Sequence, residues 1–285
     1  MSSLQIRPGH WLLRCPRCKS GFIATAGVFA CRSGHSFDLA REGYVNLLRS
    51  GRRRAAAGGD GPGQLRHRTE FLDAGHLDAL TTTIVRLVER SPRSPRHVLD
   101  AGSGTGHDLA RIAASLPGSV IGLGLDISKD AARQAAGRWP TPAFAVADLW
   151  AEWPVRDAAI DLVVSIFAPK NFPETSRVLR PGGWLVVAYP CADHLIELRD
   201  RFGLLRRFEE TPGRYGDMAT HYLGPPTVTR LRSRALLDPA MARAAILMGP
   251  NARHVDRSIL DVGPHPLAVT FDINILFARK TERKA

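Results

Sequence analysis

Three cysteines and one histidine near the N-terminus have the spacing of a metal site. Two residues separate Cys15 from Cys18, three separate Cys31 from His35, and twelve lie between the pairs. Thiolate sulfur and imidazole nitrogen are the usual ligands of tetrahedral zinc, and two short turns can present all four. The sequence therefore predicts one structural Zn²⁺ bound by these four residues. Because four protein ligands leave no position for water, we expect no catalytic role for this zinc.

A glycine-rich segment further along the chain has the composition of a cofactor-binding turn. The segment V-L-D-A-G-S-G-T-G occupies 98–106, and its apolar, strand-like beginning ends at Asp100. Glycines suit such a turn because the backbone bends sharply and approaches the ligand without a Cβ in the way. The third glycine of the dinucleotide fingerprint G-x-G-x-x-G would fall at His107, so this pattern is a different one. An ordinary strand–helix turn is the alternative for a glycine pattern taken alone.

Aspartates mark the ends of three successive strand-like segments. Asp100 ends the first, Asp126 ends the second, and Asp148 follows the third. Parallel strands place their carboxyl ends at one edge of a sheet, which is where open α/β folds bind ligands. Solvated strand-end aspartates would explain any one of these residues. They explain all three beside a glycine turn poorly, so we interpret the set as a cofactor site.

Composition and charge limit the class of protein. The chain has 285 residues, 44% of them hydrophobic, which allows two domains with a sizeable core. The formal net charge of +12 favours an anionic partner such as nucleic acid, with an arginine-rich composition alone as the alternative. Sparse cysteine, with Cys191 isolated, argues against a disulfide framework. No apolar run reaches the roughly 18 residues of a membrane span, and no apolar signal core is present. We therefore expect a cytoplasmic protein with no membrane partner.

The N-terminal part of the chain divides into short pieces. Strand-like segments are expected at 11–13, 21–24 and 28–30 around the cysteines, and a helical or turn-like exit at 38–48. Residues 50–66 are rich in glycine and arginine and lack periodicity, which is typical of a flexible linker. The run Arg52-Arg53-Arg54 within them favours a solvated patch over a specific contact, although beside a zinc module it could grip phosphate.

The remainder of the chain alternates between helical and strand-like patterns. Apolar residues recur at helical spacing over 68–90, and prolines then end that helix. Strand-like segments follow at 97–100, 120–126, 143–147, 160–165, 184–189 and 268–278. Helical patterns lie between several of them, at 107–116, 128–138 and 172–179. This alternation predicts an α/β fold with a mostly parallel sheet and helices on both faces.

These motifs resemble those of the S-adenosylmethionine-dependent methyltransferases. The glycine segment is similar to the first motif of that family, and L-R-P-G-G-W-L-V-V at 179–187 to its late turn-and-strand motif. The resemblance implies a Rossmann-like class I sheet with an antiparallel final strand near one edge. It makes Asp126 the ribose carboxylate and places Asp148 at the adenine amino group. The residues expected to bind the cofactor are Asp100, Gly102, Gly104, Thr105, Gly106, His107, Asp126, Asp148, His194 and Leu77.

A narrower resemblance includes the zinc module and spans nearly the whole chain. C-P-R-C at 15–18 and C-R-S-G-H-S-F-D-L-A-R-E-G-Y-V-N-L-L at 31–48 are similar to the N-terminus of bacterial 23S rRNA (guanine-N1)-methyltransferases. F-L-D-A-G-H, F-A-P-K and H-L-I-E-L further along are also similar to segments of that family. Some of its members confer macrolide resistance on actinomycetes. The resemblance implies methylation of one guanine in a 23S hairpin near the peptide exit tunnel. Leu77 departs from it, because an aromatic residue is common there.

The resemblance also implies that different segments of the chain have different functions. Residues 1–49 would be a small zinc-ribbon-like module for RNA recognition, 50–66 a linker and 67–285 the methyltransferase domain. Basic residues around the zinc turns would read the RNA; they are Arg14, Arg17, Lys19 and Arg32. A second basic stretch at 229–254 is another possible RNA face, with solvated charge as the alternative. Two copies could embrace one RNA, and the sequence leaves the oligomeric state open.

Methylation at guanine N1 requires loss of the N1 proton, and a nearby carboxylate or imidazole would assist. The sequence does not identify this base. His194 is a candidate, although cofactor contact or a structural role suits it as well, and Glu197 is more typical of a solvated helix residue. The segment Phe167-Ala168-Pro169-Lys170 is expected to hold the acceptor base, with a plain loop as the alternative. The target guanine must be unpaired or flipped.

Two other functions are compatible with parts of the sequence. A methyltransferase acting on a small molecule, such as a natural-product intermediate, would need neither the zinc module nor the high positive charge. A nucleic-acid-binding protein with a degenerate methyltransferase domain would have no reason to retain the glycine turn and all three aspartates. The leading prediction is therefore an enzyme whose partner is 23S rRNA, with S-adenosylmethionine and one structural zinc as cofactors.

Overall fold

The computed structural model describes residues 6–25, 27–48, 59–204, 212–253, 255 and 260–281. Its strands are β1 (Phe22–Thr25), β2 (Val28–Cys31), β3 (Ser36–Asp38), β4 (Tyr44–Asn46), β5 (His97–Ala101), β6 (Ile121–Asp126), β7 (Ala143–Val146), β8 (Ile160–Ile166), β9 (Leu179–Pro190), β10 (Thr227–Leu237) and β11 (Leu267–Arg279). Its helices are α1 (Pro62–Asp73), α2 (Asp78–Glu89), α3 (His107–Ser115), α4 (Lys129–Arg138), α5 (Phe172–Val178), α6 (Ile196–Phe202), α7 (Pro212–Tyr222) and α8 (Pro239–Leu247). None of the helices in these ranges is long and apolar enough to cross a bilayer.

An eight-stranded sheet forms the centre of the molecule, in the order β10-β11-β9-β8-β5-β6-β7-β4. The strands from β4 to β9 pair in parallel, and β11 is antiparallel to both β9 and β10. Crossovers through α3, α4 and α5 connect the parallel strands, as short βαβ units require. The predicted class I sheet with an antiparallel strand near its edge is thus confirmed. Consequently β5, β6, β7, β8 and β9 all end at the same edge.

Apolar side chains alternate between the two faces of this sheet and give each face its own core. On one face, helices α1 to α4 and α8 cover residues such as Val98 and Val164. On the other face, α5, α7 and the N-terminal module cover residues such as Leu99 and Val163. The predicted helices on both faces are therefore present. The zinc module, with its buried Phe29, is part of the core on this second face.

The N-terminal segment begins differently from the prediction. Residues 11–13, expected to be strand-like, lie largely in a 3₁₀ helix at Pro8–Leu12. Pro8 favours this because its fixed φ suits a first helical position and it has no N–H to donate. After it, β1, β2 and β3 form the antiparallel three-stranded sheet of a ribbon.

The exit from the zinc module, predicted to be helical or turn-like over 38–48, is a turn followed by a strand. Residues 41–43 turn, and β4 then runs parallel to β7 with Tyr44 opposite Phe144. Tyr44 and Val45 are buried, as aromatic and β-branched residues in a covered strand tend to be. The ribbon thus contributes the outermost strand of the main sheet.

Two helices replace the single helix predicted over 68–90. α1 begins earlier, at Pro62, so the last residues assigned to the linker are helical. The chain then turns at Gly75, whose φ of +79° suits glycine, before α2 begins at Asp78. Residues 50–58, including the three successive arginines, lie outside the described residues, and their role as a linker stays a prediction.

Candidate active site and zinc site

The four predicted zinc ligands come together between the turns of the ribbon. All their ligand atoms lie within 4.8 Å of one another. The Nδ1 atom of His35 is 3.4 Å from the Sγ of Cys31 and 3.5 Å from the Sγ of Cys15, and the Cys18 and Cys31 sulfurs are 3.5 Å apart. Bond lengths of about 2.3 Å to sulfur and 2.0 Å to nitrogen give tetrahedral edges close to these distances. The donor set therefore fits one zinc ion with no open coordination position.

The local environment favours the thiolate form that a zinc ligand needs. Hydrogen bonds from Ser20 and Ser33 lower the pKa of the Cys18 thiol to about 5. Gly34, with a φ of +79°, allows the tight turn between Cys31 and His35. The spacing of the second ligand pair thus depends on a backbone conformation that glycine adopts without strain.

Two of the four basic residues expected to read RNA are committed to contacts within the protein. Arg14 is buried, and its guanidinium contacts Glu152 at 2.6 Å and Asp157 at 2.8 Å. The Nζ atom of Lys19 also contacts Glu152, at 2.9 Å. The prediction is therefore wrong for Arg14, which anchors the ribbon to the loop between β7 and β8. The exposed side chains of Arg17 and Arg32 face solvent around the zinc turns.

The glycine turn between β5 and α3 is shaped for close approach. Gly102 has a φ of +98°, and a Cβ added there would lie 2.2 Å from the Cβ of Ala168. Gly106 has a φ of +74°, and its added Cβ would lie 2.7 Å from the ring of Phe144. Any side chain at either position would clash with its neighbour. The requirement for glycine predicted from the sequence thus has both conformational and steric causes.

Asp126 is bound to the backbone around the turn. Its Oδ2 accepts a hydrogen bond from the N–H of Gly104 at 2.8 Å, and its Oδ1 accepts one from Ser128 at 2.8 Å. These bonds fix the carboxylate at the carboxyl end of β6. Burial nevertheless raises its pKa from the ordinary value. A hydroxyl-bearing ligand would therefore meet a preorganised acceptor.

Asp100 is buried at the end of β5, and its Oδ1 has no hydrogen-bond partner among the described residues. Burial, and then the charges of Asp108 and Asp126, raise the pKa of this carboxyl well above its usual range. Burial of an oxygen without a hydrogen-bond partner costs free energy unless a ligand supplies that partner. A cationic group of a cofactor, such as an ammonium, would supply the missing partner. The cofactor predicted from the sequence thus fits this edge of the sheet.

The remaining predicted cofactor residues lie around the same edge with different degrees of exposure. Asp148 follows β7, and its Oδ1 accepts a hydrogen bond from the N–H of Trp150, whose side chain is 65% exposed. Thr105 is buried within the turn, and His107 begins α3 and packs edge-on against a tryptophan. Leu77 precedes α2 and is buried in the apolar layer.

Arg68 on α1 is a residue of this site that the sequence analysis missed. Its Nη1 is 2.7 Å from the Oδ2 of Asp60 and lies 3.1 Å from where a Cβ on Gly104 would be. Its Nη2 donates to the carbonyl of Met248 at 3.0 Å. The guanidinium therefore lies directly over the glycine turn. Nothing in its spacing separates it from the many other arginines of the chain.

Phe167 and His194 form the other wall of the site. Phe167 follows β8 with a φ of +51°, an unusual conformation for an aromatic residue, and its side chain is 41% exposed. The His194 ring packs against it, with centroids 5.6 Å apart. Strained backbone of this kind is characteristic of functional sites. Because Ala168 touches the glycine turn, the phenyl ring lies at the rim of the cofactor edge.

Glu197 does not have the properties of a general base. Its two carboxylate oxygens accept hydrogen bonds from the backbone N–H and the hydroxyl of Thr270, at 2.9 Å and 2.6 Å. Hydrogen bonds from Thr270 lower its pKa although burial opposes them. The carboxylate therefore joins α6 to β11.

The basic stretch at 229–254 is largely strand β10 and helix α8. Arg230 forms a two-pronged ion pair with the buried Asp272, at 2.6 and 2.7 Å, and Arg232 pairs with Asp193 at 3.0 Å. Part of the charge expected to face RNA thus stabilises the sheet edge.

Comparison with known proteins agrees with this geometry. A zinc-ribbon family model described as "RlmA, N-terminal" matches residues 13–54, and one described as "Methyltransferase domain" matches 98–183. The 23S rRNA (guanine(748)-N(1))-methyltransferase of Streptomyces fradiae is 39% identical over 92% of this chain and 95% of its own. This chain belongs to the 23S rRNA (guanine-N1)-methyltransferase family.

Other relatives support the same assignment. A protein of Micromonospora griseorubida named for the same reaction is 41% identical, with 86% of this chain and 88% of that protein covered. Among solved structures, the YcgJ protein of Bacillus subtilis has a TM-score of 0.51 at 16% identity and covers 71% of this chain and 98% of its own. The structural likeness shows the fold, and the family predicted from the motifs is confirmed by the sequence relatives. The chain is thus an S-adenosylmethionine-dependent methyltransferase with a zinc ribbon.

Proposed function

We propose that the chain transfers a methyl group from S-adenosylmethionine to N1 of one guanine in a 23S rRNA hairpin near the peptide exit tunnel. The strongest support is the 39% identity, over nearly the full length, with a relative whose name specifies N1 of guanine 748. The acceptor we propose is the equivalent guanine. We therefore expect the reaction to take place in the cytoplasm.

The cofactor would lie along the edge defined by the glycine turn. S-adenosylmethionine supplies a methyl group bonded to a positively charged sulfur, which is activated for transfer. Asp126 would hold the ribose hydroxyls, Asp148 the adenine amino group, and the unpaired oxygen of Asp100 the ammonium group. Thr105 and the glycines would contact the cofactor through their backbone atoms. His107, Leu77 and His194 would complete the set of cofactor contacts, and the first two are buried along this edge.

The acceptor base would lie against Phe167. This ring is exposed beside the glycine turn, so a base on it would be close to the methyl group. The Watson–Crick edge of guanine carries N1, and a paired base cannot present it to the enzyme. The guanine would therefore be an unpaired loop base or one that leaves its stack, held by an aromatic side chain as is usual for single-stranded RNA.

The zinc ribbon would contribute to RNA binding at a distance from the chemistry. Arg17 and Arg32 are exposed on its turns and would neutralise phosphates. The ion pairs of Arg14 would hold the ribbon in a fixed orientation to the cofactor edge. The division into a recognition module, a linker and a catalytic domain is part of this proposal, and a homodimer on one RNA stays a prediction.

The proposal is tested by transfer of radiolabelled methyl groups from S-adenosylmethionine to 23S rRNA purified from cells that lack this modification. We expect label in the RNA with the wild-type protein and none with Asp126→Ala. Cofactor binding without labelling of naked RNA or of ribosomal particles would instead support a small-molecule acceptor. Absence of cofactor binding would support a degenerate domain that only binds RNA.

A further inference from the structure

Trp150 is a large apolar residue that the fold leaves exposed to solvent. It is 65% exposed, whereas Trp153 in the same loop is 1% exposed. Trp150 lies two positions after Asp148, in the loop that follows the carboxyl end of β7. The carboxyl ends of β5 to β9 share one edge of the sheet. The indole is therefore exposed at the edge where the cofactor would lie.

The backbone on both sides of Trp150 is held by hydrogen bonds. The Nδ2 atom of Asn171 donates to the carbonyl of Leu149 at 3.0 Å and to that of Ala151 at 3.3 Å. The backbone N–H of Trp150 itself donates to Asp148 at 2.9 Å. A ring presented on a fixed backbone loses little conformational entropy when a ligand stacks on it. The loop thus offers a preorganised aromatic surface.

The zinc ribbon contacts this loop from one side. The Nζ atom of Lys19, in the first zinc turn, is 2.9 Å from Glu152, and Arg14 contacts the same carboxylate at 2.6 Å. The negative charge of Glu152 is therefore balanced by two cations. The side chain of Lys19 is nevertheless 60% exposed, and Arg17 in the same turn is exposed as well. Cationic groups that solvent can reach thus border the loop of Trp150.

The segment that begins at Phe167 contacts the loop from another side. Asn171, which makes the two hydrogen bonds to the loop, lies four residues after Phe167. The adjoining Ala168 contacts the glycine turn. One loop therefore connects the cationic zinc turn with the segment against which the acceptor base would lie, and its exposed side chain is the indole of Trp150.

An exposed aromatic ring beside cationic groups has the chemistry that recognises single-stranded RNA. Unpaired bases stack on aromatic rings, and lysine and arginine neutralise the neighbouring phosphates. A single exposed apolar residue is common on protein surfaces, but this one is held rigidly at the functional edge of the sheet. A protein partner would need an apolar surround for the indole, whereas Arg17 and Lys19 in the adjoining zinc turn are cationic.

We propose that Trp150 stacks on a second unpaired base of the 23S rRNA hairpin, distinct from the guanine that is methylated. This inference rests on the proposed function, because the hairpin is the RNA that the proposed reaction requires. Stacking there would fix the hairpin between the zinc ribbon and Phe167, so that the target guanine meets the cofactor edge in one register. The indole forms no bond with the reacting atoms, and Trp150 is therefore a positioning residue for the RNA.

The experiment measures the Kd of a synthetic RNA hairpin that contains the guanine equivalent to position 748, with S-adenosylhomocysteine at saturation. Fluorescence anisotropy of end-labelled RNA provides the measurement. We expect Trp150→Ala to bind the hairpin about 10- to 100-fold more weakly, which corresponds to the loss of one base–aromatic stack. Trp150→Phe retains an aromatic face and should recover part of the affinity.

Trp11→Ala is the matched control. Trp11 is 46% exposed and borders a cavity beside His97 and Ile121, where β5 and β6 begin, so it lies at the opposite edge of the sheet. This variant should bind the hairpin within about twofold of wild type, as surface substitutions away from a contact do. Affinity for S-adenosylhomocysteine, measured by isothermal titration, should also agree within about twofold for all four proteins. That result separates stacking on RNA from stacking on the cofactor adenine.

Abasic nucleotides, introduced one at a time at the unpaired positions of the hairpin, identify the stacked base. At one position other than the target, loss of the base should weaken binding by wild type about as much as Trp150→Ala does. The same loss should change binding by Trp150→Ala less than about twofold, because the stack is already absent. An effect of Trp150 on protein structure alone would leave the two losses additive at every position.

Equal hairpin binding by wild type and Trp150→Ala, or additive losses at every abasic position, would overturn the proposal. A parallel loss of affinity for S-adenosylhomocysteine would make Trp150 a cofactor contact instead. A wild type that binds no hairpin overturns the proposal as well. A wild type that binds the hairpin through Trp150, but methylates neither the hairpin nor 23S rRNA, would contradict the proposed function and leave the stacking contact standing.

Discussion

Arg14, next to the first zinc ligand, forms an ion pair with Asp157 in the loop between β7 and β8, with 2.8 Å between Nη1 and Oδ1. Its other nitrogen contacts Glu152. The antiparallel bridge between Leu13 and Val155 lies beside these contacts. The zinc ribbon and the methyltransferase sheet are thus joined by backbone, charge and a shared apolar core. We infer that the ribbon is held in one orientation rather than tethered loosely.

Removal of this ion pair should destabilise the protein. Arg14→Ala removes one of two basic partners from Glu152 and from Asp157, which keep Lys19 and Arg177. We expect the free energy of unfolding to fall by about 1–2 kcal/mol, since both carboxylates are partly exposed. Urea denaturation measures this. The matched control, Arg17→Ala, changes an exposed residue of the same ribbon and should leave stability within about 0.5 kcal/mol. Equal stability of the two variants would contradict the anchoring role.

The zinc site gives a second prediction. The wild-type protein should contain one zinc ion per chain by atomic emission. Cys31→Ser should lose it and unfold at a lower temperature, because binding of a structural zinc contributes directly to folding. Cys191→Ser removes the one cysteine outside the cluster and should retain the zinc. Full zinc content in Cys31→Ser would show that the metal is held elsewhere.

Cofactor affinity should depend on Asp126. Asp126→Ala removes a carboxylate that would accept ribose hydroxyls, a loss of about 2 kcal/mol or a factor of about 30 in Kd. Isothermal titration with S-adenosylhomocysteine provides the measurement. Asp130→Ala, in the same turn region but ion-paired on the surface of α4, serves as the control and should bind normally. Similar affinity of the two variants would remove Asp126 from the cofactor site.

Asp100 should lower the stability of the cofactor-free protein although it contributes to cofactor binding. Its raised pKa means that the folded protein holds a proton that the unfolded chain has lost, so its contribution to stability falls as pH rises through the folded value. Asp100→Asn removes this titration. In the absence of cofactor, the variant should match wild type at low pH and become progressively more stable than wild type as pH rises.

Urea denaturation over a pH series tests this, together with cofactor titration at neutral pH. The asparagine variant should bind the cofactor more weakly because, unlike Asp100, it cannot lose a proton and pair with the ammonium group. A stability difference that does not change with pH would mean that Asp100 is not the buried, unpaired acid that the geometry indicates.

Local features of the sequence predict much of this site. The glycine turn and Asp126 are contiguous with strands whose apolar runs fix their ends, so both their positions and their shared edge follow from the pattern. The zinc ligands are likewise near neighbours along the chain. Such features need only short-range geometry to come together.

Features that depend on distant partners are not predictable in this way. The two acidic partners of Arg14 are 138 and 143 residues away, and the sequence alone makes it one more basic residue beside a zinc turn. β10 has the period-two alternation of a strand, but its arginines favour interpretation as a basic surface. The position of β10 in the sheet is fixed by its pairing with β11 and by the ion pair between its Arg230 and the buried Asp272 of β11.

The most direct test of the proposed reaction is primer extension on 23S rRNA after incubation with the protein and S-adenosylmethionine. A methyl group on N1 blocks Watson–Crick pairing, so reverse transcriptase should stop next to the modified base. We predict a new stop at the guanine equivalent to position 748 of the Streptomyces fradiae enzyme's substrate, absent with Asp126→Ala. Label incorporated into the RNA without a stop at any guanine would contradict methylation at N1.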